Sequence, residues 1–128
     1  MILIFGGAYQ GKLEYALKRY GLSQADVAFC ADGDTSIPTG RKIIYEVDKW
    51  VLSLVKEGRN IPVETSLLIS ANPSAIIICN DISCGVVPID PIMRRWREET
   101  GRLLGQLAQQ SDEVIRVYCG IPTFIKGA

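Results

Sequence analysis

The sequence predicts an α/β fold in which helices lie on both faces of a mostly parallel central sheet. Short apolar runs typical of strands alternate with segments of helical periodicity along the whole chain. The most hydrophobic run, Ala75–Cys79, does not alternate with polar residues, as expected of a strand that is covered on both faces. The 128 residues contain no repeat, low-complexity tract or domain linker, so we expect one domain over residues 1–128.

A glycine-rich turn joins the first predicted strand to the first predicted helix. Ile2–Phe5 is apolar, and the segment GGAYQGK that follows it at residues 6–12 fits the phosphate-binding pattern G-x-x-x-x-G-K. Glycines let the backbone N–H groups of such a turn point inward, and the N-terminus of the helix favours an anion. We therefore expect a P-loop NTPase-like three-layer fold that binds nucleotide phosphates. The alternative is an ordinary strand-to-helix turn with a solvated lysine. The candidate binding residues are Gly6, Gly7, Ala8, Tyr9, Gln10, Gly11, Lys12 and Leu13.

The last position of this pattern departs from its usual residue. Lys12 is placed to contact the outer phosphates of a nucleotide, which makes it a candidate catalytic residue in phosphoryl transfer. The Ser or Thr that normally follows the lysine, and whose hydroxyl ligates Mg²⁺, is replaced by Leu13. This replacement weakens the case for Mg²⁺ and for kinase catalysis.

The remaining elements are predicted from periodicity and from residues that begin or end helices. Lys12–Tyr20 is expected to be a helix that Gly21 terminates, and Asp90 and Pro91 are expected to begin the longest helix. Apolar residues at helical spacing predict a helix over 43–55, with an extended turn before the helix as an alternative for its start, after an exposed loop at 36–42. The other expected elements are a helix from Pro62 to Ile69, strands at Val27–Cys30 and Val114–Cys119, and an extended piece through Lys126. The buried stripe of the longest helix is predicted to be Met93, Trp96, Thr100, Leu103 and Leu107.

The composition excludes several classes of function. Lys and Arg balance Asp and Glu at 14 each, so we expect neither nucleic acid nor an anionic membrane surface as a partner. No apolar run is long enough to span a bilayer and the first strand leaves no room for a signal peptide, so we expect a cytoplasmic protein. The four cysteines lack C-x-x-C pairing and are expected to be buried, free thiols. The absence of histidine removes imidazole as a nucleophile, general base or metal ligand.

Two carboxylates follow the second predicted strand. Asp32 and Asp34 come just after Val27–Cys30, and the carboxyl ends of strands are where open α/β sheets bind ligands. Asp32 is therefore a candidate catalytic group and a candidate Mg²⁺ ligand. The alternative is that residues 32–34 form a turn without a ligand.

A stretch near the end of the sequence resembles a known enzyme family. Residues 80–120 read NDISCGVVPIDPIMRRWREETGRLLGQLAQQSDEVIRVYCG. They are similar to the C-terminal half of the bifunctional adenosylcobinamide kinase and adenosylcobinamide-phosphate guanylyltransferase family of cobalamin biosynthesis. The family pattern is N-E-x-G-x-G-x-V-P, then R-x-x-R-x-x-x-G-R, then A-D-E-V and a final Gly. The matching residues are Asn80, Gly85, Val87, Pro88, Arg94, Arg97, Gly101, Arg102, Asp112, Glu113, Val114 and Gly120.

The resemblance implies a P-loop protein that binds GTP or ATP and phosphorylates the aminopropanol hydroxyl of adenosylcobinamide. It also implies a corrinoid as the small-molecule partner and a homotrimer with sites near subunit boundaries. Family members then transfer GMP through a guanylylated histidine, which this chain cannot form because it contains no histidine. We therefore expect kinase chemistry without that guanylyltransfer.

The resemblance also assigns roles to individual residues. The family's Glu is Asp81 here, whose shorter carboxylate is a candidate catalytic group and Mg²⁺ ligand beside Asp32. Arg94, Arg97 and Arg102 match the pattern and are candidates to hold phosphate oxygens or carboxylates of a neighbouring subunit. A solvated basic helix face is the alternative for these arginines.

Three functions are compatible with the sequence. The first is a nucleotide-dependent kinase acting on a cobinamide-like alcohol. The second is a nucleotide- or corrinoid-binding relative without turnover, kept for regulation or assembly, which Leu13 and the missing histidine favour. The third is a structural subunit that no longer binds nucleotide, which requires Gly11 and Lys12 to be accidental.

Overall fold

The computed structural model describes residues 1–82 and 90–127, within which the chain forms six strands and four α-helices. The strands are β1 (Ile2–Gly6), β2 (Val27–Phe29), β3 (Ile43–Tyr45), β4 (Ile76–Asn80), β5 (Glu113–Tyr118) and β6 (Ile121–Lys126). The helices are α1 (Lys12–Tyr20), α2 (Val47–Lys56), α3 (Ile61–Ala71) and α4 (Pro91–Gln110).

The strand β1 lies inside a single sheet of order β2-β3-β4-β1-β5-β6. The first five strands are parallel, and β6 pairs antiparallel with β5. The predicted α/β fold with a mostly parallel sheet is thus confirmed. Because parallel strands end at the same edge of the sheet, the segments that follow β1, β4 and β5 are neighbours there.

The two faces of the sheet carry separate apolar clusters. Side chains alternate along a strand, so Leu3 and Ile77 pack into one cluster and Ile4 and Ile78 into the other. The first cluster is covered by α2, α3 and α4, whereas α1 packs on the second. Helices therefore lie on both faces, as the sequence predicts.

Several helix ends match their sequence signals. Gly21 follows α1 with a left-handed φ of 65°, and its N–H donates to the carbonyl oxygen of Leu17. At the start of α4, the Asp90 side chain accepts a hydrogen bond of 2.8 Å from the N–H of Ile92, with Pro91 in the first turn. The boundaries predicted for α1 and for the start of α4 are both confirmed.

The helix predicted over 43–55 is wrong in its first residues. Ile43–Tyr45 form β3, and α2 begins at Val47 after Glu46, which has a left-handed φ of 59°. Ile43 and Ile44 are both fully buried because β3 lies inside the sheet and is covered on both faces. Such a strand shows no alternation, so its apolar residues are easily included in the helical spacing of the segment that follows.

Smaller differences concern the last helix and the cysteines. Met93 and Trp96 in α4 are only half-buried, whereas Glu99, which was not predicted to be buried, is buried. Cys79 is buried and Cys30 half-buried, both as free thiols, and burial raises the pKa of Cys30 to about 12. Cys119 is also free but exposed, contrary to the prediction. Cys84 and the family-matching positions Gly85, Val87 and Pro88 lie outside the described residues.

Candidate functional site

The glycine-rich turn leaves β1 at Gly6 and enters α1 at Lys12. Gly6 has a φ of 153°, and a Cβ at this position would lie 2.4 Å from the carbonyl oxygen of Val117 in β5. Gly11 has a φ of 81° and directs the chain into the helix. Both positions need glycine for their backbone conformation, and Gly6 needs it also because of its close packing against β5. The local structure is therefore the one that the phosphate-binding pattern requires.

Hydrogen bonds hold this turn on both sides. Towards β5, the N–H of Gly120 donates to the carbonyl oxygen of Gln10 (2.8 Å), and the N–H of Cys119 donates to Gln10 Oε1 (2.6 Å). Towards β4, the N–H of Asp81 donates to the carbonyl oxygen of Gly6 (2.8 Å). The turn supplies the acceptors in all three bonds, so they fix its position without using its N–H groups.

Lys12 is buried at the base of the turn, with 4% of its surface exposed. Its Nζ donates a 2.6 Å hydrogen bond to the carbonyl oxygen of Gly7. Desolvation lowers the pKa of Lys12, and the nearby carboxylate of Asp48 opposes this effect. A poorly hydrated ammonium group of this kind gains more from a phosphate ligand than an exposed lysine does.

An open cavity of about 570 Å³ lies in front of the turn. One wall consists of the turn and the start of α1, and the other consists of the segments that follow β3 and β4. The volume is within the usual range for sites that bind small molecules. The lining residues are Ala8, Tyr9, Gln10, Gly11, Lys12, Glu14, Tyr45, Glu46, Lys49 and Asn80.

The wall opposite the turn carries a carboxylate and an ammonium group. Glu46 lies between β3 and α2, and its Oε2 is 2.8 Å from Nζ of Lys49. The left-handed backbone of Glu46 is costly for a residue with a side chain, and such conformations are concentrated at functional sites. This wall therefore offers a charged pair to a ligand in the cavity.

Asp48 lies behind that wall and is only 3% exposed. Its Oδ1 accepts a hydrogen bond from the backbone N–H of Asn80 (3.1 Å), and its Oδ2 accepts one from Asn80 Nδ2 (3.4 Å). Trp96 Nε1 donates to the backbone carbonyl oxygen of Asp48 (2.7 Å). Burial raises the pKa of Asp48, and the hydrogen bonds from Asn80 oppose this effect. Asp48 thus ties the start of α2 to the end of β4 and to α4.

Most of the predicted phosphate-binding residues lie together. Residues 8–12 line the cavity, and Gly6 and Gly7 shape the turn behind it. The side chain of Leu13 instead packs into the apolar cluster that contains Ile4 and Ala16. Leu13 therefore contributes to the core of this face of the sheet rather than to the cavity wall.

The two predicted acidic residues are in different positions. Asp32 follows the edge strand β2, has a side chain that is 71% exposed, and lies 3.9 Å from Nζ of Lys56. In the sheet β3 separates β2 from β4, and β3 and β4 together separate β2 from β1; Asp32 does not line the cavity. Asp81 is half-buried directly after Asn80, on the strand next to β1. The structure therefore brings Asp81 near the turn but does not bring Asp32 to the cavity.

The three predicted arginines lie on α4, and none of them lines this cavity. Arg94 is exposed and Arg97 is half-buried. Arg102 is largely exposed, and its Nη1 donates to Glu99 Oε1 at 2.7 Å within the same helix. The geometry of Arg94 and Arg102 is that of a helix surface.

Sequence reasoning missed the charged wall formed by Tyr45, Glu46 and Lys49, and the buried Asp48 behind it. All four fall in or beside the stretch that was predicted as one helix. A usable signal was present, because Glu46 follows an apolar β-branched run just as Asp81 follows Ala75–Cys79. Treating Ile43–Tyr45 as a strand would have placed Glu46 at the ligand-binding edge of the sheet.

Among residues 1–82 and 90–127, no three or more His, Cys, Asp or Glu side chains are grouped so as to hold a metal ion. Over the same residues, no helix has the length and apolar character needed to cross a membrane.

Comparison with known proteins finds that one protein family matches this chain. Residues 43–125 match the family model described as cobinamide kinase / cobinamide phosphate guanyltransferase. The match runs from β3 to β6 and includes the charged wall of the cavity, whereas the glycine-rich turn precedes it. No curated protein matches the chain.

Proposed function

The chain belongs to the cobinamide kinase / cobinamide phosphate guanyltransferase family, and from this we propose that it is a kinase for a cobinamide-type alcohol. It would transfer the γ-phosphoryl group of GTP or ATP to that alcohol, without guanylyltransfer through histidine, which the chain lacks. One observation carries the proposal: buried Lys12 and the glycine-rich turn face the Glu46 carboxylate across one cavity.

The turn and Lys12 would bind the β- and γ-phosphates. Backbone N–H groups at the N-terminus of α1 favour an anion, and Nζ of Lys12 would exchange the carbonyl oxygen of Gly7 for phosphate oxygens. Because Lys12 is already desolvated, this exchange requires little loss of water. The hydrogen bonds to Gln10 keep the turn in place before the nucleotide binds.

The acceptor alcohol would enter from the side of Glu46 and Lys49. A cavity of about 570 Å³ is too small for a nucleotide tail together with a whole corrin ring, so only the alcohol arm would enter it. Glu46 is on the wall opposite Lys12, where its carboxylate can orient the hydroxyl. Glu46 thus takes the role that the sequence alone suggests for Asp32, while Asp81 remains a candidate beside the turn.

The transfer forms one bond and breaks one. The alcohol oxygen bonds to the γ-phosphorus, and the bond from that phosphorus to the β,γ-bridging oxygen breaks, with its electron pair leaving on the nucleoside diphosphate. The hydroxyl proton passes to the carboxylate of Glu46 and then to water. Lys12 balances the charge that develops on the transferring group and on the diphosphate.

The oxygen atoms that the cavity offers as ligands suit Mg²⁺ only as an ion that binds together with the nucleotide. Phosphate oxygens and water would supply most of its ligands, with the carboxylate of Asp81 or Glu46 completing the set, and bound Mg²⁺ would neutralise phosphate charge. Leu13 supplies no hydroxyl, so the protein holds this ion more weakly than a loop that ends in Ser or Thr.

The kinase proposal is tested by binding and transfer measured on the same protein. GTP and ATP are added with and without Mg²⁺, and the midpoint of thermal unfolding is recorded. Nucleotide at a hundred times its Kd should stabilise the fold by about 2.7 kcal/mol. Radiolabelled γ-phosphate should then appear on adenosylcobinamide.

Lys12→Met is the informative variant, because it keeps the aliphatic stem and removes the charge. It should abolish both nucleotide stabilisation and transfer, whereas Lys56→Met, which alters an exposed lysine on α2, should change neither. If the unaltered protein gains no stability from either nucleotide, the proposal fails.

A nucleotide-binding relative without turnover is the second candidate. The position of Leu13 in an apolar cluster favours it, because no hydroxyl is available there to help hold Mg²⁺. Stabilisation by nucleotide that does not respond to Mg²⁺, with no label on the corrinoid, would select this candidate over the kinase. The kinase proposal also includes a homotrimer, which the family resemblance implies. It includes a cytoplasmic location as well, which is the expectation from the sequence.

A further inference from the structure

Three aromatic side chains lie in the walls of the charged cavity or directly beside it. Tyr9, on the glycine-rich turn, and Tyr45, at the end of β3, both line the cavity. Phe29 ends β2 next to Tyr45, and the two rings contact each other edge to face, with centroids 5.6 Å apart and planes at 84°. This pair continues the cavity wall outward to the edge strand of the sheet.

Two of these rings are largely exposed to water. Tyr9 is fully exposed, and 57% of the surface of Phe29 is exposed. Tyr9 also has a left-handed φ of 60°, which is costly for a residue with a side chain. A single exposed ring on a protein surface is ordinary, but a group of them beside a cavity is typical of a surface that a ligand covers.

The three rings extend across one face of the sheet at its carboxyl edge. Phe29 and Tyr45 are register partners in the parallel strands β2 and β3, so both side chains project on the face where α1 packs. The turn that carries Tyr9 leads into α1 itself. Because β2 and β1 are three strand positions apart, the rings span about 14 Å at the usual spacing between strands.

We propose that Tyr9, Phe29 and Tyr45 form an aromatic platform that binds the flat ring system of the acceptor while its alcohol arm enters the cavity. The inference rests on the proposed kinase function, in which the corrin ring is too large to enter a cavity of about 570 Å³. Aromatic side chains offer a large contact area to a flat conjugated ring, and they lose little conformational entropy when it binds. The platform therefore selects an acceptor with a flat body over a small alcohol.

The position of the platform favours the acceptor over the nucleotide. Tyr45 and Phe29 lie on the side of Glu46, whose carboxylate is placed to orient the hydroxyl, and across the cavity from Lys12. In phosphoryl transfer the attacking and leaving oxygens lie roughly in line on opposite sides of the γ-phosphorus. The body of the acceptor therefore extends towards β3 and β2, whereas the diphosphate leaves in the opposite direction.

The test measures acceptor binding to variants of the platform. Dissociation constants for adenosylcobinamide, GTP and ATP are determined by calorimetry on the full chain. Phe29→Ala should weaken adenosylcobinamide binding by roughly three- to tenfold and leave the affinity for GTP and ATP unchanged. Phe29→Tyr keeps a ring and should bind adenosylcobinamide like the unaltered protein. Tyr118→Ala is the matched control, because it removes a similarly exposed ring from β5 that does not line the cavity, and it should change neither affinity.

A second variant removes the ring on the other side of the cavity. Tyr9→Ala should also weaken adenosylcobinamide binding by roughly three- to tenfold, and Tyr9→Phe should restore it. Because Tyr9 is fully exposed, its ring does not support the fold, so the variant remains folded. The thermal unfolding midpoint of Tyr9→Ala should therefore equal that of the unaltered protein.

The outcomes separate the platform from the kinase proposal. If both alanine variants bind adenosylcobinamide as tightly as the unaltered protein, the platform is overturned and the kinase proposal stands. If Phe29→Ala weakens GTP or ATP instead, the ring contacts the nucleotide and the platform is again overturned. If the unaltered protein binds nucleotide but not adenosylcobinamide, both the platform and the proposed acceptor are wrong. Weakened binding in both variants of a protein that transfers no phosphate supports the platform and contradicts the kinase.

Steady-state kinetics show which part of the acceptor the platform contacts. Phe29→Ala should raise the KM for adenosylcobinamide by the same factor as the dissociation constant and leave kcat unchanged. This is expected because the ring binds a part of the acceptor that does not react, and binds it equally in the ground state and the transition state. A lower kcat with an unchanged KM would mean that Phe29 acts on the reacting groups, which contradicts the platform.

Discussion

The two sides of β1 differ in how they support the glycine-rich turn. Towards β3 and β4, the side chains of Glu46, Lys49 and Asp48 bring charge to the cavity or directly behind it. Towards β5 and β6, the turn is held by backbone N–H groups of Cys119 and Gly120 and borders a mostly apolar cleft. The first side has groups that can act on a reacting hydroxyl, and the second fixes shape. The side of β1 towards β3 and β4 thus carries the groups that can react, whereas the side towards β5 and β6 holds the turn in position.

Gly6→Ala tests the close contact on the β5 side and should have the largest effect. The new Cβ would lie 2.4 Å from the carbonyl oxygen of Val117, so one of the two strands must move. We expect a loss of roughly 4 kcal/mol in the free energy of unfolding, measured by urea denaturation. Gly105→Ala in α4 is the control, since nothing lies within 4 Å of its Cβ, and it should stabilise the protein by about 0.5–1 kcal/mol. Equal effects at the two positions would contradict the contact.

Leu13→Ser tests whether a hydroxyl directly after Lys12, at the start of α1, strengthens Mg²⁺ binding. Removing Leu13 from the apolar cluster should cost about 3 kcal/mol of unfolding free energy. The variant should nevertheless respond more strongly to Mg²⁺ in nucleotide binding, because a hydroxyl would then follow Lys12.

The control is Leu17→Ser, which alters a partly buried leucine of the same helix that packs on the same cluster. It should lose stability without any change in the Mg²⁺ response, which is followed by titrating nucleotide at several Mg²⁺ concentrations. A metal response that is the same in Leu13→Ser and in the unaltered protein would count against a P-loop geometry at this position.

The difference between the two sides also explains what could be predicted from sequence. The turn and α1 were predicted because their signals are local. The glycines of the turn, the lysine and the glycine that ends α1 lie within sixteen residues, and the glycines Gly6, Gly11 and Gly21 have positive φ. The charged wall was not, because β3 is covered on both faces and so lacks the alternation that marks a strand. Asp48 is defined by contacts with Asn80 and Trp96, which are distant in sequence.

Asp48→Asn tests the buried carboxylate on the β4 side through the pH dependence of stability. Burial raises the pKa of Asp48 in the folded protein, so the stabilising contribution of this group is complete below its ordinary pKa of about 3.9. That contribution is lost as the pH rises through the higher folded value. The variant has no such titration.

The cost of Asp48→Asn should therefore be about 1 kcal/mol near pH 4 and should decrease towards pH 8. Urea midpoints of both proteins, measured across this range, give the difference directly. A cost that grows with pH would mean that the hydrogen bonds from Asn80 outweigh burial, and that the charged form is the one the fold favours.

Gln10→Ala tests the hydrogen bond between the turn and Cys119 and should have the smallest effect on stability. The bond from the Cys119 N–H to Gln10 Oε1 is exposed to solvent, so its loss should cost only about 0.5 kcal/mol. Gln106→Ala removes another exposed side-chain bond, to Ser66 Oγ, at a similar cost. If the β5 side acts by positioning, Gln10→Ala should also weaken nucleotide binding by roughly threefold, whereas Gln106→Ala should not. Calorimetric titrations that show the same nucleotide affinity in both variants would mean that the backbone bond from Gly120 alone is enough to hold the turn.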